Sequence, residues 1–206
     1  MIATLYYVHD PMCSWCWAFR PVWDEVRRQL PDGVEVQYLL GGLAPDSDEP
    51  MPAEMQTHLQ AVWRHISRVV PGTQFNFDFW RLNTPRRSTY PACRAVIAAQ
   101  TLRPDDGATA MTQAIQQAYY QDALNPSDDE VLISLAVANG LDRDAFAALL
   151  NAPETQNRLL DDIRQHQRLG ARGFPSLILV KDKQAIFIEH SYTSAEQTLA
   201  AIVTAL

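Results

Sequence analysis

Cys13 and Cys16, separated by Ser14 and Trp15, are the residues in this chain best spaced for chemistry. The apolar run Ile2 to Val8 comes just before them, and Phe19, Val22, Trp23, Val26 and Leu30 follow on one helical face. Two cysteines on the first turn of a helix can close a small, reversible disulfide. The unpaired N–H groups and the dipole of a helix N-terminus favour the thiolate of the first one. That arrangement suits thiol–disulfide exchange. Two inert core cysteines, or half of a zinc site, are the alternatives. Zinc needs four ligands, and no second C-x-x-C or H-x-H set accompanies the pair. The remaining cysteine, Cys93, has the surroundings of a small buried hydrophobe, with a third redox thiol as the other reading.

The elements that must position the pair can be read from the pattern. Residues 1–40 predict strand, helix, strand, with Val34 to Leu40 bounded by Pro31-Asp32-Gly33 and Gly41-Gly42. Such a βαβ unit makes its two strands parallel. Residues 50 to 170 are helical in pattern. Helices are expected over Pro52 to Val70, Ser88 to Leu102, Asp106 to Asp122, Asp128 to Asn139, Asp142 to Asn151 and Pro153 to Leu169. Pro71 to Pro85 reads as an aromatic loop. Ser176 to Val180 and Ala185 to Glu189 read as a hairpin, and Thr193 or Ser194 caps a last helix. The order βαβ, helices, ββα implies an α/β fold. Residues 1–49 and 171–206 form one unit, and 50–170 are a helical insertion. The junction between the two is a natural place for a substrate groove.

Composition narrows the partners. The chain has 206 residues, with 17 Lys and Arg against 24 Asp and Glu, a net charge of −7. That argues against nucleic acid or an anionic membrane surface. No apolar run approaches the roughly 20 residues of a membrane span. Three cysteines are too few for a structural disulfide framework and suit a reducing compartment. The start enters a strand directly, without the features of a leader, so a cytoplasmic location is expected. Oligomeric state is not legible.

The C-x-x-C on the first helix, with Pro175 just before the third strand, resembles the thioredoxin fold. The helical insertion makes it similar to the DsbA-like branch. Asp10-Pro11-Met12-Cys13-Ser14-Trp15-Cys16-Trp17 resembles the cytoplasmic DsbA-family oxidoreductases often labelled predicted disulfide isomerases, relatives of the FrnE proteins. The second anchor is Gly170-Ala171-Arg172-Gly173-Phe174-Pro175-Ser176. The resemblance implies that Cys13 is the exposed nucleophile and Cys16 the buried resolving thiol. It implies that Pro175 is cis and that Phe174 offers its backbone to substrate, with Ser14 and Trp15 beside it. Gly170 and Gly173 then serve as close-approach residues. Substrates are expected to be protein or small-molecule disulfides. No cofactor is implied beyond an electron source, with glutathione a candidate.

Several positions depart from that pattern or extend it. Thioredoxins carry a buried acid six residues before the first cysteine, where this chain has Tyr7. Tyrosine is no ready base near neutral pH, so His9 or Asp10 become substitutes. No histidine lies between the cysteines, and the couple is expected to be more reducing than that of DsbA, with Arg172 offsetting part of this. Pro21 matches a helix-bending proline. Trp15, Trp17, Phe19 and Phe174 are candidates for an apolar lip. Two rival functions remain: a kappa-class type glutathione transferase or isomerase, and a non-catalytic binding module.

Overall fold

Alternation along the first strand builds the sheet's main interface. In the computed structural model, which describes residues 3–206, β1 (Ala3–His9) turns Ala3, Leu5 and Tyr7 to one face. There they meet Phe19, Trp23 and Val26 of α1 (Ser14–Arg28). Ile2, the expected first strand residue, lies outside the described residues. Strand β2 (Val34–Leu40) pairs with β1 in parallel, Tyr7 opposite Tyr38. Every expected helix and strand is observed in the expected order, with boundaries shifted by a residue or two, and one short helix is added.

The chain then enters α2 (Ala53–Val69), α3 (Phe79–Leu82), α4 (Tyr90–Leu102), α5 (Gly107–Tyr120), α6 (Asp129–Ala138), α7 (Arg143–Leu150) and α8 (Pro153–Arg168). Most boundary shifts come from capping residues that flank the helix rather than belong to it. Asp142, for instance, stands just outside α7 and accepts from the Ala145 N–H at 2.9 Å. The helix α3 lies inside the stretch read as loop. A single turn is too short to show a period; it is held because Phe79 is buried edge-on against Tyr119 with ring centroids 4.7 Å apart. Trp63, Phe79, Met111, Tyr120, Leu132, Phe146 and Leu159 form the core of this helical block.

The return to the sheet is made by β3 (Ser176–Lys181) and β4 (Gln184–Ile188), followed by α9 (Ala195–Ala205). Asp182 and Lys183 turn the hairpin with φ of 50° and 66°, the positive values a tight right-twisted hairpin needs. Ser194 caps α9 through the Gln197 N–H at 3.2 Å. The strand order is β2-β1-β3-β4, with β3 antiparallel to both neighbours. This is a thioredoxin fold with a helical insertion. Among the described residues, no helix is long and apolar enough to cross a membrane.

Candidate functional site

The end of β1 delivers Asp10, Pro11 and Met12 as a tight turn into α1. The Cys13 N–H bonds the Asp10 carbonyl at 3.0 Å, and the Cys13 carbonyl accepts from Trp17 N–H at 3.0 Å. Cys13 is therefore the N-cap of α1, with φ −83° and ψ 118°. Its thiol points at the loop before β3, where Sγ lies 3.5 Å from the Phe174 carbonyl oxygen. The Phe174–Pro175 peptide is cis. Cys16, one turn along, is fully buried. All three cysteines are free thiols.

Cys13 is only 7% exposed, which corrects the expectation of an open nucleophile. The cause is the Phe174 loop laid across it. Phe174 is held from below by Gly41, where an added Cβ would come within 2.5 Å of the ring. His166 packs edge-on to the same ring at 5.4 Å and bonds the Gly41 carbonyl at 3.1 Å. Gly41 is the close-approach glycine here. Gly173, expected in that role, has open space where its side chain would be, and Gly170 is needed for a φ of +82°. A Gly-Gly pair ending a strand is the sequence signal that could have found Gly41.

The apolar lip is smaller than expected. Phe19 is completely buried, between Tyr7, Trp23 and His190, because it lies on the face of α1 that covers the sheet. Trp15 is half-buried against Tyr192 at 4.9 Å and His65 at 5.9 Å. Trp17 stacks on Tyr120 at 5.6 Å and donates to the Gln74 carbonyl. Ser14 and Phe174 are half-buried and Pro175 is buried. Arg172 is exposed and makes no ion pair among the described residues.

Asp10 is the residue most deeply tied to this site. It is fully buried, and its carboxylate accepts from Met12 N–H, Leu43 N–H and the Thr89 hydroxyl, each at 2.8 Å. The Cys93 thiol adds a fourth contact at 3.5 Å. Burial nonetheless raises its pKa above the usual carboxylate value, and these hydrogen bonds offset only part of the rise. Burial also pushes the Cys16 thiol well up, aided by Cys13, while a backbone hydrogen bond from Asp10 acts the other way. Cys93 is raised well above a free thiol by burial and then by the nearby Asp10 charge. Thr89 stands at the N-cap position of α4 but makes no side-chain cap hydrogen bond there. Its hydroxyl turns to Asp10 instead.

Tyr7 and His9 stack with centroids 5.0 Å apart. Burial, then the two thiols, raises the Tyr7 phenol far above its ordinary value, so it is no proton acceptor. Burial lowers His9 to about 4, leaving it neutral at neutral pH. Of the two proposed substitutes for the missing acid, Asp10 is the one joined to the cysteine turn.

Comparison with known proteins agrees with this geometry. A model of the DSBA-like thioredoxin domain matches residues 4–200. A Nitrosomonas europaea protein provisionally named a protein disulfide isomerase superposes with a TM-score of 0.84 at 26% identity, covering 99% of this chain and 97% of its own. The cytosolic disulfide reductase DsbM from Pseudomonas aeruginosa superposes with a TM-score of 0.78 at 26% identity, covering 98% of each chain. It has also been solved with GSH. Among curated sequences, the ClpXP adapter protein SpxH of Halalkalibacterium halodurans is 23% identical over 182 residues. The match takes in 86% of this chain but 58% of that relative's length.

Proposed function

This chain belongs to the DSBA-like thioredoxin family, and from that premise we propose that it is a thiol–disulfide oxidoreductase working through Cys13 and Cys16. The observation that carries the reading is the 3.5 Å approach of Cys13 Sγ to the Phe174 carbonyl beside Pro175. A substrate disulfide paired with that backbone would lie on the one thiol of the pair that is not fully buried. The Cys13 thiolate attacks one substrate sulfur, and the other leaves as a thiolate and takes a proton. Cys16, once deprotonated, attacks the Cys13 sulfur and releases the second substrate thiol. Two electrons pass to substrate, and a Cys13–Cys16 disulfide remains.

Two thiol equivalents then restore the dithiol. Glutathione is the candidate donor, a choice supported by the DsbM structure with GSH. The cytosolic naming of DsbM supports a cytoplasmic location and reductase or isomerase work rather than oxidation. Asp10 is the group we assign to proton movement at Cys16, since Tyr7 cannot serve. Ser14, Trp15 and Phe174 border the substrate.

The naming of SpxH as an adapter favours a second reading, a partner-binding module whose cysteines are incidental. Insulin reduction separates the two. The oxidoreductase reading expects turnover by wild type, none by Cys13→Ser, and a trapped mixed disulfide with Cys16→Ser. Equal rates for wild type and Cys13→Ser would make it a binding module.

A further inference from the structure

The last two turns of α8 hold the end of β2 with two side chains. Asp162 and His166, four residues apart, stand on one face of the helix. Asp162 Oδ2 accepts from the Leu40 N–H at 3.1 Å. His166 Nε2 lies 3.1 Å from the carbonyl oxygen of the next residue, Gly41. A carbonyl only accepts, so Nε2 carries the hydrogen and donates it. The Gly41 N–H is given to the His9 carbonyl of β1 at 2.7 Å. Gly41 is thus fixed from both sides, and His9 leads directly into the cysteine turn at Asp10.

The same histidine governs the loop that faces Cys13. Its backbone carbonyl accepts from the Ala171 N–H, and the Gln167 carbonyl from the Gly170 N–H, each at 3.0 Å. With Gly170 at a φ of +82°, these two bonds close α8 and set the direction in which the chain leaves it. The chain then reaches Phe174, whose ring lies edge-on to His166 at 5.4 Å and against Gly41. The Phe174 carbonyl ends the path 3.5 Å from Cys13 Sγ.

Packing alone does not account for a histidine here. The residue is 5% exposed, and Nδ1 has no hydrogen-bond partner among the described residues. A bare buried nitrogen costs free energy that phenylalanine or leucine would avoid. Burial also lowers the pKa below the ordinary 6.5, so the ring is neutral at neutral pH. What histidine adds over an apolar residue is the Nε2–H donor to Gly41.

Resting on the oxidoreductase reading, we propose that His166 is a positioning residue for substrate. Through Gly41 it holds the Phe174 carbonyl where a substrate backbone pairs with it. It thereby gives the site a preference for disulfides carried on a polypeptide over small disulfides with no peptide group. It touches neither reacting sulfur. A disulfide without a backbone meets Cys13 alone and gains less from the ordered loop.

The test uses the reduced full chain. Oxidation of Cys13 and Cys16 is timed with insulin and, separately, with hydroxyethyl disulfide, by acid quench, alkylation and mass spectrometry. The readout is the ratio of the two rate constants, because loss of folded protein lowers both alike. In His166→Phe, which keeps a ring and loses the donor, the ratio should fall about tenfold, the worth of one hydrogen bond. His166→Asn, whose amide is too short to reach Gly41, should show the same fall and replaces the Phe variant if that does not fold. His166→Gln carries an N–H at the reach of Nε2 and should stay within about threefold of wild type. An active wild type with an unchanged ratio in the Phe and Asn variants would overturn this assignment alone. So would a fall in the Gln variant as large as in the other two. A wild type inert towards both disulfides would remove the oxidoreductase reading, and this assignment with it.

Discussion

The Thr89 hydroxyl donates to the Asp10 carboxylate across 2.8 Å, joining the first residue of the cysteine turn to the start of α4. Thr89 also receives the Ala44 N–H at 3.1 Å, so the loop after β2 is tied to the same point. Three segments distant in sequence meet at one buried carboxylate.

Replacing that carboxylate is expected to be costly. Asp10→Asn places an amide among four donors and should lose about 2–3 kcal/mol of stability, measured by urea unfolding. Thr89→Val, which removes a single donor, should lose about 1 kcal/mol. If Asp10 moves the proton at Cys16, Asp10→Asn should also slow release of the mixed disulfide by tenfold or more. The initial attack by Cys13 should keep its rate.

Tyr7 supplies the complementary control. It occupies the position of the thioredoxin acid, yet its phenol is held protonated by burial. Tyr7→Phe should leave insulin reduction within about twofold, whereas a general acid–base role would require a loss of at least about a hundredfold.

The loop that carries Phe174 depends on Gly41. In Gly41→Ala the new methyl would fall within 2.5 Å of the Phe174 ring, forcing the ring and its carbonyl away from Cys13. Displacements of this size are worth tenfold to about a hundredfold in rate. The loss should appear in insulin turnover, with the circular dichroism spectrum unchanged.

The folded protein should label unevenly with iodoacetamide. Cys93 is completely buried and its thiol is pushed well up by burial, while Cys13 retains some exposure. Mass spectrometry after brief alkylation of reduced protein should find Cys13 modified and Cys93 modified only in denaturant. Early labelling of Cys93 would contradict its placement.

Acid should weaken the fold through His9. Its folded value of about 4 lies below the ordinary 6.5, so between those values the unfolded chain binds the extra proton. Stability is present in full above about pH 6.5 and falls by about 3 kcal/mol as pH drops towards 4. Asp162 has the opposite sign: burial raises it to about 6, and its contribution weakens as pH rises towards that value. His9→Phe should flatten the acid loss in urea titrations between pH 6.5 and 4.5, and Asp162→Asn should steepen it.

The sequence by itself determined the order of elements, the parallel first pair of strands, and the placing of Cys13 and Cys16 on the opening turn of α1. Each is written in local periodicity or in spacings of a few residues, where backbone geometry leaves few choices. Pro175 was legible through family resemblance rather than from its residue type. Tertiary structure alone decided how far Cys13 is covered, that Phe19 belongs to the core, and that Gly41 rather than Gly173 admits the Phe174 ring. It also decided that Asp10 gathers Leu43, Thr89 and Cys93. These outcomes depend on contacts between residues up to 161 positions apart, as between Cys13 and Phe174. Packing of whole elements sets those distances, and no local pattern encodes them.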